Sequence, residues 1–569
     1  MILMKSKLFF LEKLYLVFSV ILNFLIFFIT YINYSSHRGT DFGIYGNYIR
    51  YFLYSENFSL REQTVGYFSI IAKFTNFKKD TLLISVDYEN LIFNYGIQIG
   101  NYFLFLIGLF GIYKILIFIG LSKVSSLTLL NLLSLFPPLI GMRMILKPEI
   151  MAFAFLPWVI YMIILYKQNF NKILLILMYP MIPLLMSIKA SVTLMVALTV
   201  FLFFGKDVLK KEVLFLGVIS LITMFVLISE SFQITNLYLW EHKGLEGYDN
   251  VAPFSFLYSF NQELFTSPYR DSQSTSMWGI LLLDTFGDYW QRYWFHKDGY
   301  FTNQYPGNRD IINFGIIFSL IFYLGSIYYL LKEKKVILKK IGASGYIGIL
   351  VLIINAMNLF PFLGKNFNPS KGDPIKTHYF SFLLAFTFIY LFIKFFKGKK
   401  EIYSLLFLLV MIFFSFKLIN PPTLEVIKDE QTLLNKVHLL SPCFLGDPAN
   451  SLINYSHSWC SEEELLEAIC FREYDENLLP VKENDYFIFP KDEVYGTKNL
   501  VSENNVVTIA NYFECLNYVE GGYIPQSVES YFSDYKAKTP FVFNFIFLIS
   551  LFSIFYIQVI KKYFKHETF

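Results

Sequence analysis

The chain has 569 residues, of which 55% are hydrophobic and 16% are charged, with a net charge of +4 and a mean hydropathy of +0.47. Soluble domains carry about a quarter charged residues, and this sequence repeats apolar runs of about 20 residues, the length of a membrane-crossing helix. The composition excludes an ordinary soluble protein, and the lack of a basic patch argues against a nucleic-acid partner. We predict an all-α polytopic membrane protein with one small additional domain.

Twelve transmembrane helices are predicted from the apolar segments. They are 14–33, 99–119, 126–144, 150–166, 173–187, 190–204, 212–230, 311–331, 344–362, 377–395, 402–419 and 540–560. Pro180 and Pro183 interrupt the fifth segment, so one long kinked helix is the alternative for 173–204. The first segment lacks a small-residue cleavage site, and we expect it to be retained as a span.

Lysine-rich segments test this count, because positively charged connections stay on the cytoplasmic side of a membrane. The clusters lie at 5–13, 167–172, 206–211, 332–340, 394–400 and 561–565. With twelve spans they all fall on one face, and both termini are then expected in the cytoplasm beneath a bacterial inner membrane. The long connections 34–98 and 231–310 fall on the extracytoplasmic face, together with 420–538.

Residues 420–538 break the membrane pattern and separate a membrane domain, 1–419, from a last helix and cytoplasmic tail, 539–569. Two strand-like segments, KENDYFIFPKDE and NNVVTIANYFECLNYVEGGYI, and one helical segment predict a small extracytoplasmic α/β domain. The domain contains all four cysteines of the chain: Cys443, Cys460, Cys470 and Cys515. An even number on the oxidising side favours two disulfides over a metal site, because no Cys-x-x-Cys pair is present.

The first candidate functional residue is Asp41, in the stretch TDFGIYGNYIRYFL. Its apolar residues recur at helical spacing, which predicts an amphipathic helix at the membrane surface. Two interpretations are open. Thr40 or Asp41 caps that helix, or Asp41 acts as a general base where the membrane meets water.

The stretch RMILKPEIMAF connects the third and fourth predicted spans. Pro148 and Glu149 suit the first turn of a helix, where proline is tolerated and an acid is favoured by the dipole. Arg143 and Lys147 either extend along the helix to the interface or hold a phosphate group.

Two further lysines lie at the ends of predicted spans. Lys189, in MSIKASVTL, marks either a turn or a functional site, because a lysine at membrane depth is costly. Lys376, in GDPIKTHYFSF, either extends to the interface or meets a lipid phosphate, and the neighbouring His378 has a structural or a binding role.

The stretch WGILLLDTFGDYWQRYWFHKDGYF is rich in aromatic and charged residues. Its candidate side chains are Asp284, Asp288, Trp290, Arg292, Trp294 and His296. Aromatic residues are ordinary at a membrane interface. Rings that stack on sugars, cations that meet phosphate and acids that accept hydroxyls also suit a sugar-phosphate lipid, and we favour this second interpretation.

The whole layout resembles the GT-C superfamily of membrane glycosyltransferases. The resemblance consists of Asp41 in the loop after the first span, the turn of Lys147, Pro148 and Glu149, and Lys189 in SIKAS. A large later loop and a C-terminal extracytoplasmic domain complete it. Members of this superfamily transfer a sugar from a polyprenyl-phosphate carrier to an acceptor outside the cytoplasm.

The resemblance implies an inverting displacement with Asp41 as the base and Asp284 or Asp288 as a second carboxylate. The cations available for the departing phosphate are Arg143, Lys147, Lys189, Arg292 and Lys376. The implied partners are a polyprenyl-phosphate-linked sugar, a glycan or lipid acceptor, and membrane lipid. No sequence motif predicts a cofactor, and participation of a divalent cation, Mg²⁺ or Mn²⁺, is left open.

Three other functions are compatible with a polytopic protein of this kind. A polysaccharide polymerase or ligase acts on lipid-linked glycans, but the long 34–98 loop with its surface helix argues against it. A transporter or flippase usually has internal repeats and charges near the midplane, and neither is evident here. A non-catalytic assembly protein would use the cysteine-containing domain as its binding surface.

Overall fold

The computed structural model describes a bundle of helices and part of its connections. The described residues are 2–33, 45, 48–49, 51–52, 64–76, 87–235, 253–262, 264, 275–287, 309–357, 376–396, 401–419, 486–490, 502–503, 507–511 and 539–560.

Helices make up most of the described chain, which confirms the helical part of the predicted fold class. In chain order they are α1 (Ile2–Asn33), α2 (Gly66–Asn76), α3 (Asp87–Phe118), α4 (Lys123–Ser134), α5 (Pro137–Met144), α6 (Glu149–Asn169), α7 (Ile173–Met178), α8 (Met181–Met186), α9 (Ala190–Phe204), α10 (Lys211–Thr235), α11 (Ser255–Tyr258), α12 (Met277–Thr285), α13 (Arg309–Lys332), α14 (Val336–Ala356), α15 (Ser381–Phe396), α16 (Glu401–Ile419) and α17 (Phe541–Ile560). Short 3₁₀ turns occupy Gly205–Leu209 and Thr377–Tyr379.

Among the described residues, 8 helices are long and apolar enough to cross a membrane, which is consistent with a membrane protein. They lie in α1, α3, α6, α9, α10, α13, α14 and α17. Each overlaps a predicted span, although α14 begins eight residues before the predicted span 344–362. The other four predicted spans correspond to a bent helix pair, α4 and α5, and to shorter apolar helices within 173–186, 381–396 and 402–415. The predicted number of twelve is therefore not confirmed.

The bend between α4 and α5 measures 60° and has a local cause. Pro137 and Pro138 begin α5, where a missing backbone N–H breaks no helical hydrogen bond. Phe136, the residue before the prolines, has extended backbone angles (φ −71°, ψ 117°), as a following proline favours. The bend divides the third predicted span into two short helices.

The two ends of α6 define the two ends of the bundle. Its 21 residues separate Glu149 from Lys167 by about 27 Å at the usual helical rise of 1.5 Å. Lys189, just before α9, contacts Glu149, whereas Lys167 donates to the carbonyl of Phe204, the last residue of α9. The chain therefore returns along α6 through α7 and α8 before α9 begins. Residues 173–186 and 190–204 therefore run in opposite directions along α6 rather than as one long helix.

Close packing against α3 buries α6 in the centre of the bundle. A Cβ on Gly108 would lie 2.4 Å from the carbonyl oxygen of Phe153, so only glycine allows this approach. The indole N–H of Trp158 donates to the carbonyl of Ile107 at 2.9 Å. Small residues that bring helix backbones together are the usual basis of helix association in membranes. This packing fixes the start of α6 relative to its neighbours.

Within 420–538, the described residues form a three-stranded antiparallel sheet of order β1-β3-β2. The strands are β1 (Tyr486–Pro490), β2 (Ser502–Glu503) and β3 (Val507–Asn511). β1 and β3 lie inside the two segments predicted as strands, and Ile488 pairs with Ile509. The four cysteines and the predicted helix lie outside the described residues, so the α/β domain and its disulfides stay predictions.

Candidate functional site

Three chain segments converge at the Glu149 end of the bundle, and each begins a helix there. α6 starts at Glu149, α9 starts directly after Lys189, and the 3₁₀ turn Thr377–Tyr379 follows Lys376. The Lys189 ammonium lies 3.1 Å from Oε1 of Glu149. Residues far apart in the sequence therefore form one cluster, which we call the lysine cluster: Lys147, Lys189 and Lys376 with Glu149 and Tyr379.

The ring of Tyr379 lies at the centre of the lysine cluster. The Nζ atoms of Lys189, Lys376 and Lys147 are 3.9, 5.5 and 5.9 Å from the ring centroid. These distances are within the range in which an aromatic face attracts an ammonium group. The attraction of each ammonium group to this one ring offsets part of the repulsion between the three positive charges.

The position of these lysines is unusual for helical structure. A helix N-terminus carries partial positive charge and favours anions, so a cation before the first turn is electrostatically unfavourable. Lys189 immediately precedes α9 and Lys147 lies two residues before α6. Lys376 precedes only a three-residue 3₁₀ turn and joins them through Tyr379. Cations and helix N-termini together make this end of the bundle suited to an anionic ligand.

Lys147 also joins the cluster to the segment that follows Asp41. Its Nζ lies 4.3 Å from the centroid of the Tyr45 ring, and that ring stacks on Phe68 of α2 at 5.5 Å. Both aromatic rings and Lys147 are buried. Tyr45 is four residues after Asp41 in the sequence. The described part of the predicted surface segment therefore reaches the lysine cluster.

A buried amide fixes the turn that carries Lys147. The side chain of Asn101, in α3, donates to the carbonyls of Arg143 and Ile145, each at 3.0 Å. Its own carbonyl accepts a hydrogen bond from the hydroxyl of Tyr67 at 2.7 Å. Burial raises the pKa of Tyr67 well above its usual value, so the phenol stays protonated and remains a donor.

Glu149 is fully buried at the first position of α6, where the helix dipole favours a carboxylate. One of its oxygens pairs with Lys189. The other, Oε2, has no hydrogen-bond partner among the residues that the structure describes. Glu149 therefore holds Lys189 in the cluster and keeps one oxygen available to accept a donor.

Arg143 lies inside the bundle rather than at its surface, with 2% of its area exposed. Its guanidinium donates to the hydroxyl of Thr30 at 3.0 Å and lies 5.5–5.8 Å from the rings of Phe27, Tyr102 and Phe105. These contacts connect the end of α5 to α1 and α3.

Asp284 and His378 are both buried, and His378 is the middle residue of the 3₁₀ turn. The carboxylate of Asp284 accepts a hydrogen bond from the backbone N–H of Thr377 at 2.9 Å. The ring of His378 meets the ring of Tyr379 edge-on, with centroids 4.7 Å apart. Asp284 therefore belongs to the structure that supports the lysine cluster.

The remaining candidates lie outside the described residues. They are Asp41, Asp288, Trp290, Arg292, Trp294, His296 and the four cysteines Cys443, Cys460, Cys470 and Cys515. In the part of the chain that the structure describes, no three His, Cys, Asp or Glu side chains are close enough to hold a metal ion.

Three contributors to the site were not predicted from the sequence: Tyr379, Tyr67 and Asn101. Tyr379 stands directly after the predicted pair Lys376 and His378, and an aromatic residue beside cations was the available signal. Asn101 is an amide within a long apolar run, which marks a buried polar contact in a membrane helix.

Comparison of the chain with protein-family models, with curated proteins and with solved structures found no match. The geometry of the lysine cluster therefore carries the functional proposal.

Proposed function

We propose that this protein is a membrane glycosyltransferase of the GT-C type, which moves a sugar from a polyprenyl-phosphate carrier to a glycan or lipid acceptor. The observation that carries the proposal is the lysine cluster. Three ammonium groups gathered on one tyrosine ring, two of them next to helix N-termini, are suited to the phosphate of a membrane-bound donor. We place this end of the bundle on the extracytoplasmic side, in accordance with the lysine distribution.

The lysine cluster would act on the leaving group. When the bond between the anomeric carbon and the phosphate oxygen breaks, both electrons of the bond remain on that oxygen and the phosphate gains negative charge. Cations positioned in advance stabilise this charge more strongly in the transition state than in the ground state. Lys147, Lys189 and Lys376 have this role in the proposal.

Asp41 would act on the acceptor. Its carboxylate takes the proton of the acceptor hydroxyl while the oxygen attacks the anomeric carbon from the side opposite the phosphate, so the configuration inverts. The contact between Lys147 and Tyr45 supports this assignment, because Tyr45 follows Asp41 by four residues. A donor phosphate at the lysine cluster would then lie beside Tyr45, on the segment that carries the proposed base.

The test is a transfer assay of the purified full chain in lipid nanodiscs. A panel of polyprenyl-phosphate sugars is supplied together with lipid and glycan acceptors from bacterial cell envelopes. Each reaction is run with and without a chelator, which tests whether a divalent cation is required. We expect transfer from at least one donor, and its loss in Asp41→Asn and Lys147→Gln. Lys339→Gln makes the same change at an exposed position of the opposite end and should remain active.

Three results would oppose the proposal. If transfer survives in Asp41→Asn, Asp41 is not the base. If transfer survives in Lys147→Gln, Lys147 is not part of the phosphate site. Movement of the lipid-linked sugar across the bilayer without transfer would favour a flippase instead.

A further inference from the structure

We infer that Asp284 is a positioning residue, whose carboxylate holds the turn that presents Lys376 and Tyr379 to the donor phosphate. This inference rests on the proposed phosphate site. It gives Asp284 a role different from that of a second catalytic carboxylate, the role implied by the family resemblance.

The contact is specific and buried. Oδ2 of Asp284 accepts two hydrogen bonds from one residue, Thr377: the backbone N–H at 2.9 Å and the hydroxyl at 2.5 Å. Both residues have no exposed surface. A buried carboxylate is costly unless hydrogen bonds stabilise it, and bonds to a charged acceptor are the stronger class. Asp284 therefore binds Thr377 tightly and in one orientation.

Thr377 is the residue through which this contact controls the turn. It begins the 3₁₀ segment, where backbone N–H groups have no partner within the helix. Lys376 immediately precedes it, and the N–H of Tyr379 closes the turn on the carbonyl of Lys376 at 3.0 Å. Fixing the N–H of Thr377 consequently fixes the direction in which Lys376 and Tyr379 leave the backbone.

The support of Asp284 is itself anchored. Asp284 lies in the last turn of α12, and the next residue, Thr285, is hydrogen-bonded to the hydroxyl of Tyr323 in α13 at 2.8 Å. A path of short contacts thus runs from α13 through α12 to the turn. Asp284 of α12 thus fixes the turn that carries Lys376 and Tyr379, and Glu149 of α6 fixes Lys189.

The experiment measures binding of farnesyl phosphate, a short soluble polyprenyl phosphate, to the full chain in detergent by titration calorimetry. We expect Asp284→Asn and Thr377→Val each to weaken binding by roughly tenfold, because each removes a charge-assisted hydrogen bond. The double variant Asp284→Asn/Thr377→Val should have about the same affinity as the single variant that binds more weakly, because both changes break the same contact. Thr377→Ser keeps the hydroxyl and should bind nearly as the wild type.

Thr387→Val is the matched control. It removes a buried hydroxyl contact of α15, to the carbonyl of Gly342 in α14 at 2.9 Å, but leaves the bonds between Asp284 and Thr377 in place. We expect a lower melting temperature and unchanged farnesyl phosphate binding. In the transfer assay, Asp284→Asn should raise the donor KM and leave the pH profile of kcat unchanged, as a positioning residue requires.

The outcomes separate this inference from the proposed function. If Lys376→Gln weakens binding but Asp284→Asn and Thr377→Val do not, the inference about Asp284 is wrong and the proposed phosphate site is retained. Additive effects in the double variant, or a shifted pH profile of kcat in Asp284→Asn, would also overturn it. Binding that follows the expected pattern without sugar transfer would retain the inference and overturn the glycosyltransferase. A wild type that does not bind farnesyl phosphate would overturn both.

Discussion

The two ends of α6 use lysine in opposite ways. At the Lys167 end, lysines pair with acids and cap helix C-termini: Asp207 lies 2.9 Å from both Lys167 and Lys210, and Lys340 donates to the carbonyl of Phe203. This arrangement is favourable, because the C-terminus of a helix attracts cations. At the Glu149 end, lysines precede helix N-termini and share one aromatic ring.

This difference is the basis on which we propose a function for the Glu149 end. Lysines at the Lys167 end stabilise the fold through ion pairs with Asp207 and hydrogen bonds to the last carbonyls of α9. In the lysine cluster, Lys147 and Lys189 precede the N-termini of α6 and α9, where the helix dipoles oppose a cation, and Lys189 is paired with the carboxylate of Glu149. Such an arrangement is understandable if an anionic ligand is bound there, and each prediction below tests one side of this contrast.

The largest expected effect concerns the buried pair at the Glu149 end. Lys189→Gln should lower the free energy of unfolding by about 3–5 kcal/mol, because it leaves the carboxylate of Glu149 buried without its cation. The double variant Lys189→Gln/Glu149→Gln should recover much of this loss. Unfolding in mixed micelles on addition of SDS measures both. A double variant no more stable than the single one would mean that the pair is not the cause.

The second effect concerns activity. Lys376→Gln should reduce kcat/KM for transfer by roughly 10²–10³-fold, the usual loss when one group that stabilises developing negative charge is removed. Lys339 is an exposed lysine at the other end of the bundle, and Lys339→Gln should change kcat/KM less than twofold. Similar losses in the two variants would indicate a general effect of charge and would abolish the contrast between the ends.

The third effect concerns the pH dependence of the Lys167 end. Burial raises the pKa of Glu333, but the ion pair with Lys394 and a backbone hydrogen bond from Lys335 outweigh it, so the pKa is lower than the usual 4.5. A lowered pKa in the folded state stabilises the protein above about pH 4.5, and this stabilisation is lost as the pH falls through the folded value.

The measurement compares wild type with Glu333→Gln from pH 7 to pH 3. At pH 7 the variant should be less stable by about 1.5–3 kcal/mol, the usual contribution of hydrogen bonds to a charged group. The difference should shrink as the pH falls below about 4.5. A difference that is constant with pH would show that the charge of Glu333 does not contribute.

The sequence was sufficient to predict approximately where the long apolar helices lie, because each span requires a long apolar run that is visible locally. It also marked Lys189, because a charge at membrane depth is costly, and Glu149, because an acid suits the first turn of a helix. Their pairing was not predictable, since 40 residues separate them and only the packing of α6 against α9 brings them together. The bond between Asp284 and Thr377 joins residues 93 apart, and the central position of Tyr379 depends on three separate helices. The shortened helices near prolines reflect bends that an apolar count does not detect.

The smallest expected effect lies between the two ends, where α1 meets its neighbours through neutral polar groups. The amide of Asn23 bonds to the hydroxyl of Ser134 in α4 and to that of Tyr102 in α3. Asn23→Ala should lower the free energy of unfolding by only about 0.6–1.7 kcal/mol, from the average to the largest value found by double-mutant cycles for hydrogen bonds between membrane helices. It should leave transfer unchanged, because neutral contacts in the middle of the bundle neither hold the lysine cluster nor bind phosphate. If Asn23→Ala instead abolished transfer while the fold persisted, the chemistry would not be confined to the Glu149 end, and the contrast between the ends would no longer identify the site.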